Sequence, residues 1–394
     1  MPGSARQYGS QWRRPRGSAR AAGARAAAFR LTCSCACGPD AIIQQSVKFQ
    51  PRNHISVVVV NWNRRELLRA CLDSLTRQSL EDFEVVVVDN GSADGSAEMV
   101  EREFAGGRFR LKLIRNRENL GFCAANNQGI AASGGEFVAL LNNDAEAEPG
   151  WLEALRGVFE LGADVGMAAS KIMAFGDPHR IDKAGHLIYL DGQNRGRGSG
   201  ALDRGQYDRI EETLWPDGCA AMYRRAMLEQ IGGFDEDFFA YGDDAELGLR
   251  ARIAGWRCLF APGAVVRHHR AATMGLESSR RVELIERNRV LLAAKLFPWS
   301  LLWLNGAFYL ARIGAGLWAA ARDRGELRQF PGLAGKLRLA AALIRGDLMA
   351  LRLLPRMLRK RRELRKLRRL SDRQIRQLLF RHRISLRELM EQAV

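Results

Sequence analysis

Short apolar runs in the first third of the chain each end in polar residues. The runs Ile55 to Val60, Phe83 to Val88 and Phe137 to Leu141 are continuous and rich in β-branched or large apolar side chains, which is typical of buried strands. Leu111 to Ile114 is a shorter run of the same kind. The pattern therefore predicts four strands in this part of the chain.

Helical spacing appears between these runs. Leu68, Cys71, Leu72 and Leu75 follow the first run at intervals of three and four residues, and residues 97–104 follow the second. Strands that alternate with helices predict a parallel sheet with right-handed crossovers. We therefore expect an α/β fold with a mostly parallel sheet and flanking helices.

The polar strand ends are the first candidate for chemistry. They read "VVNWN", "VVDNGS" and "LLNND". Ligands of such sheets lie outside the carboxyl ends of the strands, so all three ends should converge on one crevice. The carboxylate of Asp144 suits a hard divalent cation, and Asn142 and Asn143 can hydrogen-bond a sugar or a phosphate. Asp89 is placed to accept hydrogen bonds from a nucleobase or ribose, and Gly91 would let the backbone approach that ligand.

The second half of the chain offers a candidate base. In "YGDDAELGLR", Asp243, Asp244 and Glu246 precede or open a helix predicted over residues 245–254. Three carboxylates near a crevice should raise at least one pKa and yield a general base, although acidic residues also favour helix N-termini for structural reasons. Strands are predicted over 256–260 and 264–266, and loops with a short hairpin over 170–215. His268 follows a strand and is either a metal or diphosphate contact or an ordinary structural histidine.

Charge and composition narrow the partners. The formal net charge is +17, which favours a polyanionic partner such as nucleic acid, an anionic membrane or a phosphorylated substrate. The basic residues concentrate near the C-terminus and form no nucleic-acid-binding motif, so no specific nucleic acid is expected. Residues 289–394 combine an apolar, aromatic stretch with a basic amphipathic one, which predicts helices in peripheral contact with an anionic membrane; a packed helical lid is the alternative. The uncharged stretch between Lys295 and Arg312 is too short to span a bilayer.

The N-terminal region has a different character. Residues 1–50 are rich in Arg, Ala, Gly and Ser and are predicted to be a disordered basic extension. Cys33, Cys35 and Cys37 have a spacing that a soft metal could use, but no second Cys/His cluster follows them. The other cysteines are expected to be reduced thiols.

Several motifs, taken in chain order, resemble those of glycosyltransferase family 2, the inverting enzymes with the GT-A fold. They are "ISVVVVNWNRRELLRACLDSL", "VVVVDNGSADGS", "NLGFCAANNQGI", "LLNNDAE" and "GGFDEDFFAYGDDAELGLRARIAGW". The resemblance covers about Ile55 to Asn288, and "VVRHHRAAT" with "ERNRVLL" resembles the rhamnosyltransferase-like branch. It implies a GT-A-type, Rossmann-like sheet in residues 51–288, followed by the C-terminal helical region 289–394.

The resemblance also implies roles for single residues. Asp89 would hold the nucleotide base, Asp144 would bind Mg²⁺ or Mn²⁺, His268 would add a metal contact, and Asp244 would be the catalytic base. Asp243 could exchange roles with Asp244, because the family more often has a Glu-Asp pair there. Asn142 stands where many members have Asp, so metal binding would depend on the substrate phosphates. The complete set expected to bind the nucleotide-sugar is Asn61, Asn63, Asp89, Gly91, Asn119, Asn126, Asn142, Asn143 and Gly218.

The implied function is inverting transfer of a sugar from a dTDP-, UDP- or GDP-sugar to a glycan or lipid-linked glycan, at the cytoplasmic face of the cell membrane. Rhamnose is the sugar that the branch resemblance suggests. Two alternatives remain at this point: a catalytically inactive scaffold with the same fold, and a nucleotidyltransferase. The second expects a glycine-rich phosphate loop after the first strand, and "NWNRREL" contains no glycine.

Overall fold

A central mixed sheet with helices on both faces carries the molecule. The computed structural model describes residues 54–269, 278–320 and 332–391. The strands are β1 (Ile55–Asn61), β2 (Phe83–Asp89), β3 (Arg110–Arg115), β4 (Phe137–Leu141), β5 (Ala145–Ala147), β6 (Val165–Ala174), β7 (Asp177–Lys183), β8 (His186–Ile188), β9 (Asn194–Gly196), β10 (Glu211–Thr213), β11 (Ala220–Arg224) and β12 (Arg257–His268). The helices are α1 (Arg65–Thr76), α2 (Ser96–Phe104), α3 (Phe122–Ala132), α4 (Trp151–Gly157), α5 (Arg225–Ile231), α6 (Asp243–Ile253), α7 (Ser279–Leu296), α8 (Trp299–Ala320), α9 (Gly332–Leu364), α10 (Asp372–Arg381) and α11 (Leu386–Glu391).

The first four strands form a parallel unit, as the sequence predicts. In the order β10-β12-β6-β11-β4-β1-β2-β3, strand β1 pairs in parallel with β2 and β4, and β2 pairs in parallel with β3. The register sets Asn61 beside Asp89 at the carboxyl ends of β1 and β2. Successive residues of β1 face opposite sides of the sheet: Val57 and Val59 join one apolar cluster and Val58 joins the other. Both faces of the strand are therefore buried, which explains its unbroken apolar run.

The second half of the sheet departs from the parallel pattern. Strand β11 runs antiparallel to both of its neighbours, β4 and β6. Strand β12 is one continuous strand where two were predicted, because the chain passes Pro262 and Gly263 through a register shift between Ala261 and Val265 rather than a turn. The hairpin predicted in the irregular region is formed by β8 and β9. The sequence did not predict β6, which is almost entirely buried.

The C-terminal helices pack onto the sheet domain. The boundary predicted after residue 288 falls inside α7, whose residues Glu286 to Leu296 are nearly all buried. Helix α9 lies along α7 so closely that a Cβ on Gly346 would be 2.7 Å from the Glu283 carbonyl oxygen. No helix within the described ranges combines the length and apolar character needed to cross a membrane. The predicted N-terminal extension, with its three closely spaced cysteines, lies outside the described residues.

Candidate active site

A cavity of about 550 Å³ opens at the carboxyl ends of the parallel strands. Its lining brings together three predicted segments that are far apart in sequence: Asn142 to Asp144 after β4, Asp243 and Asp244 at the start of α6, and His268 at the end of β12. His268, the last residue of β12, pairs with Ala145 of β5 and therefore lies beside Asp144, which directly precedes β5. The predicted convergence of strand ends is therefore present.

Asp144 and His268 form a pair suited to a divalent cation. The Nε2 atom of His268 is 3.3 Å from Oδ1 of Asp144, and that oxygen is buried. The other ring nitrogen, Nδ1, lies 2.7 Å from Oδ2 of Asp182, a fully buried residue of β7. A carboxylate that accepts from Nδ1 leaves the Nε2 lone pair for a metal and fixes the ring orientation. An oxygen and a nitrogen ligand, oriented by a buried carboxylate, thus fit a divalent cation.

Electrostatics make this pair sensitive to protons. Burial acts to raise the pKa of Asp144, but the adjacent His268 brings that pKa below its ordinary value. Burial acts to lower the pKa of His268, yet its neighbours, Cys219 and the two carboxylates, raise it well above its ordinary value. A cation that binds here must therefore displace a proton from His268.

Asp244 belongs to a second group of charged side chains, which also contains Lys183, His186 and Asp217. Its Oδ2 is 3.4 Å from Nε2 of His186, and the same nitrogen is 2.8 Å from Oδ2 of Asp217. The ammonium of Lys183 lies 2.6 Å from that Asp217 oxygen. Potential ligand atoms of His186, Asp217 and Asp244 all fall within 4.8 Å of one another. Because Lys183 already supplies a cation to Asp217, the Asp144 and His268 pair is the better place for a metal.

The acidic pair at the start of α6 has raised proton affinity. Burial, followed by the charge of Asp244, raises the pKa of Asp243 well above its ordinary value. Burial also raises the pKa of Asp244, although His186 and Lys183 act in the opposite direction. Asp244 is thus the member of the pair that positive side chains help to ionise, and it lines the cavity. A carboxylate with a raised pKa in a cavity can accept a proton from a bound hydroxyl.

One wall of the cavity is a strained loop that side chains of α7 hold in place. Phe239 and Tyr241 have φ values of 62° and 68°, in the left-handed region that side chains other than glycine rarely adopt. The Asn288 amide donates to the carbonyl oxygens of residues 238, 240 and 241, at 2.9, 2.8 and 2.6 Å. The C-terminal α7 therefore shapes the cavity directly.

Glu246 does not belong to the site. It is fully buried away from the cavity, and its carboxylate pairs with Arg250 at 2.7 Å and with Lys295 at 2.7 Å. Those cations hold the pKa of Glu246 below its ordinary value despite burial, which acts to raise it. The expectation that Glu246 is an alternative base is wrong, because a buried carboxylate with two bonded cations neither meets substrate nor takes up a proton readily.

The expected nucleotide-sugar residues divide into three groups. Asn119, Asn142, Asn143 and Gly218 line the cavity. Behind Asn143 a chain of hydrogen bonds runs inward: its amide donates to Asn61 at 2.7 Å, and Asn61 donates to Asp89 at 3.3 Å. Asn61 and Asp89 thus support the cavity wall from beneath it.

The remaining three residues have structural roles. Gly91 is required by the fold rather than by a ligand, because a Cβ there would be 2.7 Å from the Cα of Glu118. Asn63 accepts a hydrogen bond from the backbone of Ala93, and Asn126 donates to the Phe122 carbonyl one turn earlier. None of the three is among the described residues that line the cavity, and their contact with the donor stays a prediction.

Sequence reasoning missed the residues that surround the predicted ones. Asp182, Lys183 and His186 lie in the irregular stretch 170–215, where no apolar periodicity identified a strand, and Asn288 lies at the end of the segment that the motifs cover. Asp217, in "WPDGC", was the only one with a signal, since it is a carboxylate set among apolar residues.

Comparison with known proteins finds similarity to glycosyltransferases. The profile described as "Glycosyl transferase family 2" matches residues 56–232, and one described as "Glycosyl transferase family group 2" matches residues 200–317. The N-acetylglucosaminyl-diphospho-decaprenol L-rhamnosyltransferase of Mycobacterium tuberculosis is 27% identical over 242 residues, which are 56% of this chain and 78% of that protein. The glycosyltransferase AglE of Haloferax volcanii is 29% identical over 220 residues, 54% of this chain and 66% of that protein.

Other similarities are partial or distant. The matched region makes up 25% of the Sinorhizobium fredii protein y4gI, to which this chain is 28% identical over 236 residues, so the chain spans only a part of some relatives. The solved structure of GalNAc-T7 with UDP, GalNAc and Mn²⁺ aligns with a TM-score of 0.51 and 16% identity, covering 63% of this chain and 48% of that one. That likeness concerns the fold, which is of the GT-A type. Together with the strand-end cavity, the matches show that this chain carries a glycosyl transferase family 2 domain, whose profile covers residues 56–232.

Proposed function

We propose that this protein transfers a sugar, with inversion, from a nucleoside-diphosphate donor to the hydroxyl of a glycan. The observation that carries the proposal is the shared cavity: Asp144 and His268 can hold a divalent cation there, and Asp244 faces the same space with a raised pKa. The glycosyl transferase family 2 domain supports sugar transfer as the reaction. Three asparagines and Gly218 offer the neutral polar contacts that a sugar diphosphate needs.

The donor would bind with its diphosphate near Asp144 and His268. A bound Mg²⁺ or Mn²⁺ would neutralise charge that builds on the departing diphosphate. Arg281 also lines the cavity and can contribute positive charge to the same end. The Asn143–Asn61–Asp89 hydrogen-bond chain holds the adjacent wall in place, so that the donor meets a preorganised surface.

Asp244 would act on the acceptor. Its carboxylate takes the proton of the acceptor hydroxyl, whose oxygen attacks the anomeric carbon from the face opposite the leaving diphosphate. The anomeric carbon–oxygen bond to the diphosphate breaks in the same displacement, and configuration inverts without an enzyme nucleophile. His186 and Lys183 favour the ionised form of Asp244 before the reaction.

The relatives guide the choice of substrates. The Mycobacterium tuberculosis relative is named a rhamnosyltransferase acting on a diphospho-decaprenol-linked sugar. This name supports rhamnose as the sugar and a lipid-linked sugar as the acceptor. We infer a dTDP-sugar as the donor and cell-envelope polysaccharide synthesis as the process, with UDP- and GDP-sugars as the other donors to be compared. We infer that the site of action would be the inner face of the cell membrane.

The test is donor turnover by the full chain. Release of nucleoside diphosphate from dTDP-, UDP- and GDP-sugars is measured with and without Mn²⁺, for the native protein and for Asp144→Ala and Asp244→Asn. We expect one donor to be consumed in a Mn²⁺-dependent manner, with both variants inactive and Asp244→Asn still binding the donor. Turnover by Asp244→Asn at the native rate, or metal-independent donor binding by Asp144→Ala that equals the native protein's, would contradict the proposed roles.

A further inference from the structure

Helix α8 is built with its polar side inward. Its single charged residue, Arg312, points at the protein and reaches Asp191 at 2.6 Å and Glu286 at 2.7 Å. Tyr309 donates to Asp347 of α9 at 2.8 Å. An ordinary surface helix turns its charges to water, whereas α8 turns its one charged side chain inward, on the side that also packs Leu301 and Phe308 against the core.

The outer face of α8 is apolar. Trp303, Leu310 and Leu317 are 85%, 69% and 66% exposed, and they are spaced seven residues apart on one side of the helix. Leu304 and Trp318 beside them are more than half exposed. A contiguous stripe of large apolar side chains in water is unfavourable and marks a surface that another apolar phase covers.

Helix α9 repeats the stripe and adds charge. Leu337, Ile344, Leu351 and Leu358 are exposed at the same seven-residue spacing. Each is followed by an exposed arginine, and these are Arg338, Arg345, Arg352 and Arg359. The outer side of α9 therefore presents an apolar row beside a row of positive charge.

The two stripes are tied to the active site. The Tyr309–Asp347 hydrogen bond joins α8 to α9, and Asp347 in turn pairs with Arg289 of α7 at 3.1 Å. Arg289 and Leu292 of α7 line the cavity. A surface that covers the stripes is thereby held at a fixed distance from the site of transfer.

The charge pattern selects the partner. A second copy of the chain would bring one arginine row against another, which is repulsive. An anionic lipid surface attracts the arginines, accepts the leucines and isoleucines below its headgroups, and favours tryptophan at its interface. Since no described helix is suited to span a bilayer, the helices would lie along the surface.

We propose that the outer faces of α8 and α9, defined by Trp303, Leu310 and Leu317 and by Leu337, Ile344, Leu351 and their arginines, dock this protein on an anionic phospholipid bilayer. The role of docking rests on the proposed function, because it would present a lipid-linked acceptor to the cavity. Docking itself is measured without donor or acceptor, so the two ideas fail separately.

The experiment is flotation of the full chain with vesicles of phosphatidylcholine containing about 30% phosphatidylglycerol, compared with phosphatidylcholine alone. One variant combines Trp303→Ser, Leu310→Ser and Leu317→Ser; the other combines Arg338→Gln, Arg345→Gln and Arg352→Gln. Each matched control changes the same number of exposed apolar residues, or of exposed arginines, in the sheet domain. They are Leu161→Ser, Leu202→Ser and Ile210→Ser, at 56%, 42% and 52% exposure, and the exposed Arg117→Gln, Arg204→Gln and Arg209→Gln.

The native protein should float with the anionic vesicles and release in high salt. The arginine variant should lose about a hundredfold in partitioning, because each arginine near such a surface is worth about fivefold. The apolar variant should lose at least about tenfold, since its three side chains no longer enter the lipid. Both controls should bind like the native protein, and so should Asp244→Asn, even if transfer itself proves absent.

Three results would overturn the proposal. The first is that the native protein floats with neither kind of vesicle. The second is that the two variants float as well as their controls. Alternatively, light scattering would show a dimer that the apolar variant turns into a monomer while vesicle binding is absent, which would assign the stripes to a second copy. Unchanged melting temperatures of the variants establish that the fold is intact in each case.

Discussion

Replacing Asp182 by asparagine should lower the metal affinity of the site, although Asp182 is not itself a proposed ligand. Asp182 is fully buried, and its Oδ2 accepts from Nδ1 of His268 at 2.7 Å, so it fixes which ring nitrogen faces Asp144. An amide of the same size removes the negative charge and lets the imidazole turn or change tautomer. Loss of such a partner typically costs about 10- to 100-fold in metal affinity, or roughly 1.4–2.8 kcal/mol. We therefore expect Asp182→Asn to bind Mn²⁺ 10- to 100-fold more weakly by this measure.

The assay is a calorimetric Mn²⁺ titration of the full chain in the presence of a nucleoside diphosphate. Asp208→Asn is the matched control, because it removes a carboxylate that is 60% exposed and pairs with the buried Lys171, away from His268 and Asp144. The same titration at lower pH separates orientation from proton competition. The raised pKa of His268 means that protons compete with the metal in the native protein, so native affinity should fall as the pH drops. Removal of Asp182 relieves part of that competition, so the difference between the proteins should narrow in acid.

Equal Mn²⁺ affinity of native protein and Asp182→Asn, with unchanged melting temperatures, would refute this reasoning. It would mean that His268 is not a ligand or that its orientation does not depend on the buried carboxylate. A loss of the same size in Asp208→Asn would point to a general electrostatic effect instead.

Three further outcomes follow from the site. The kcat/KM of the native protein should fall as the pH drops through the raised pKa of Asp244, since the base works only when ionised. Asp244→Asn should lose about 10²- to 10⁴-fold in kcat and keep its donor affinity. If Asp244→Asn loses less kcat than Asp243→Asn, the roles of the two residues are reversed. Asn288→Ala removes three hydrogen bonds to the cavity loop and should lower the unfolding free energy by about 2–4 kcal/mol in urea denaturation, with a higher KM; native stability would show that the loop holds itself. Glu246→Gln should destabilise by about 3–5 kcal/mol through its bonded Arg250, measured by the same denaturation, while any folded fraction keeps its kcat; loss of kcat alone would return Glu246 to the site.

The predictable part of this fold is the part whose strands are buried on both faces. The valine-rich runs of β1 and β2 have few other solutions, so their bounds agree with the pattern to within one residue. Strand β6 was missed because its sequence, "VGMAASKIMA", mixes small, polar and charged residues, and its burial comes from strands that pair with it from elsewhere in the chain. Pairing with β11 and β12 stabilises this strand, so the periodicity of its own sequence does not predict it.

The site shows the same limit. Asp144, His268 and Asp244 could be placed in one crevice, because each follows a strand or opens a helix at the same edge of the sheet. Their partners Asp182 and His186 come from a segment without periodicity, and only the folded chain shows which charge meets which. The reverse error arose at Glu246, whose sequence neighbours are acidic while its spatial neighbours, Arg250 and Lys295, are cations.

The most direct test of a metal-assisted donor site is a thermal-shift panel on the full chain. UDP, GDP and dTDP, with their sugar conjugates, are each added with and without Mn²⁺, to the native protein and to Asp144→Ala. The account predicts that one nucleotide raises the melting temperature only when Mn²⁺ is present, and that Asp144→Ala loses this rise. A rise that needs no metal and survives in Asp144→Ala, or no rise with any nucleotide, would contradict it.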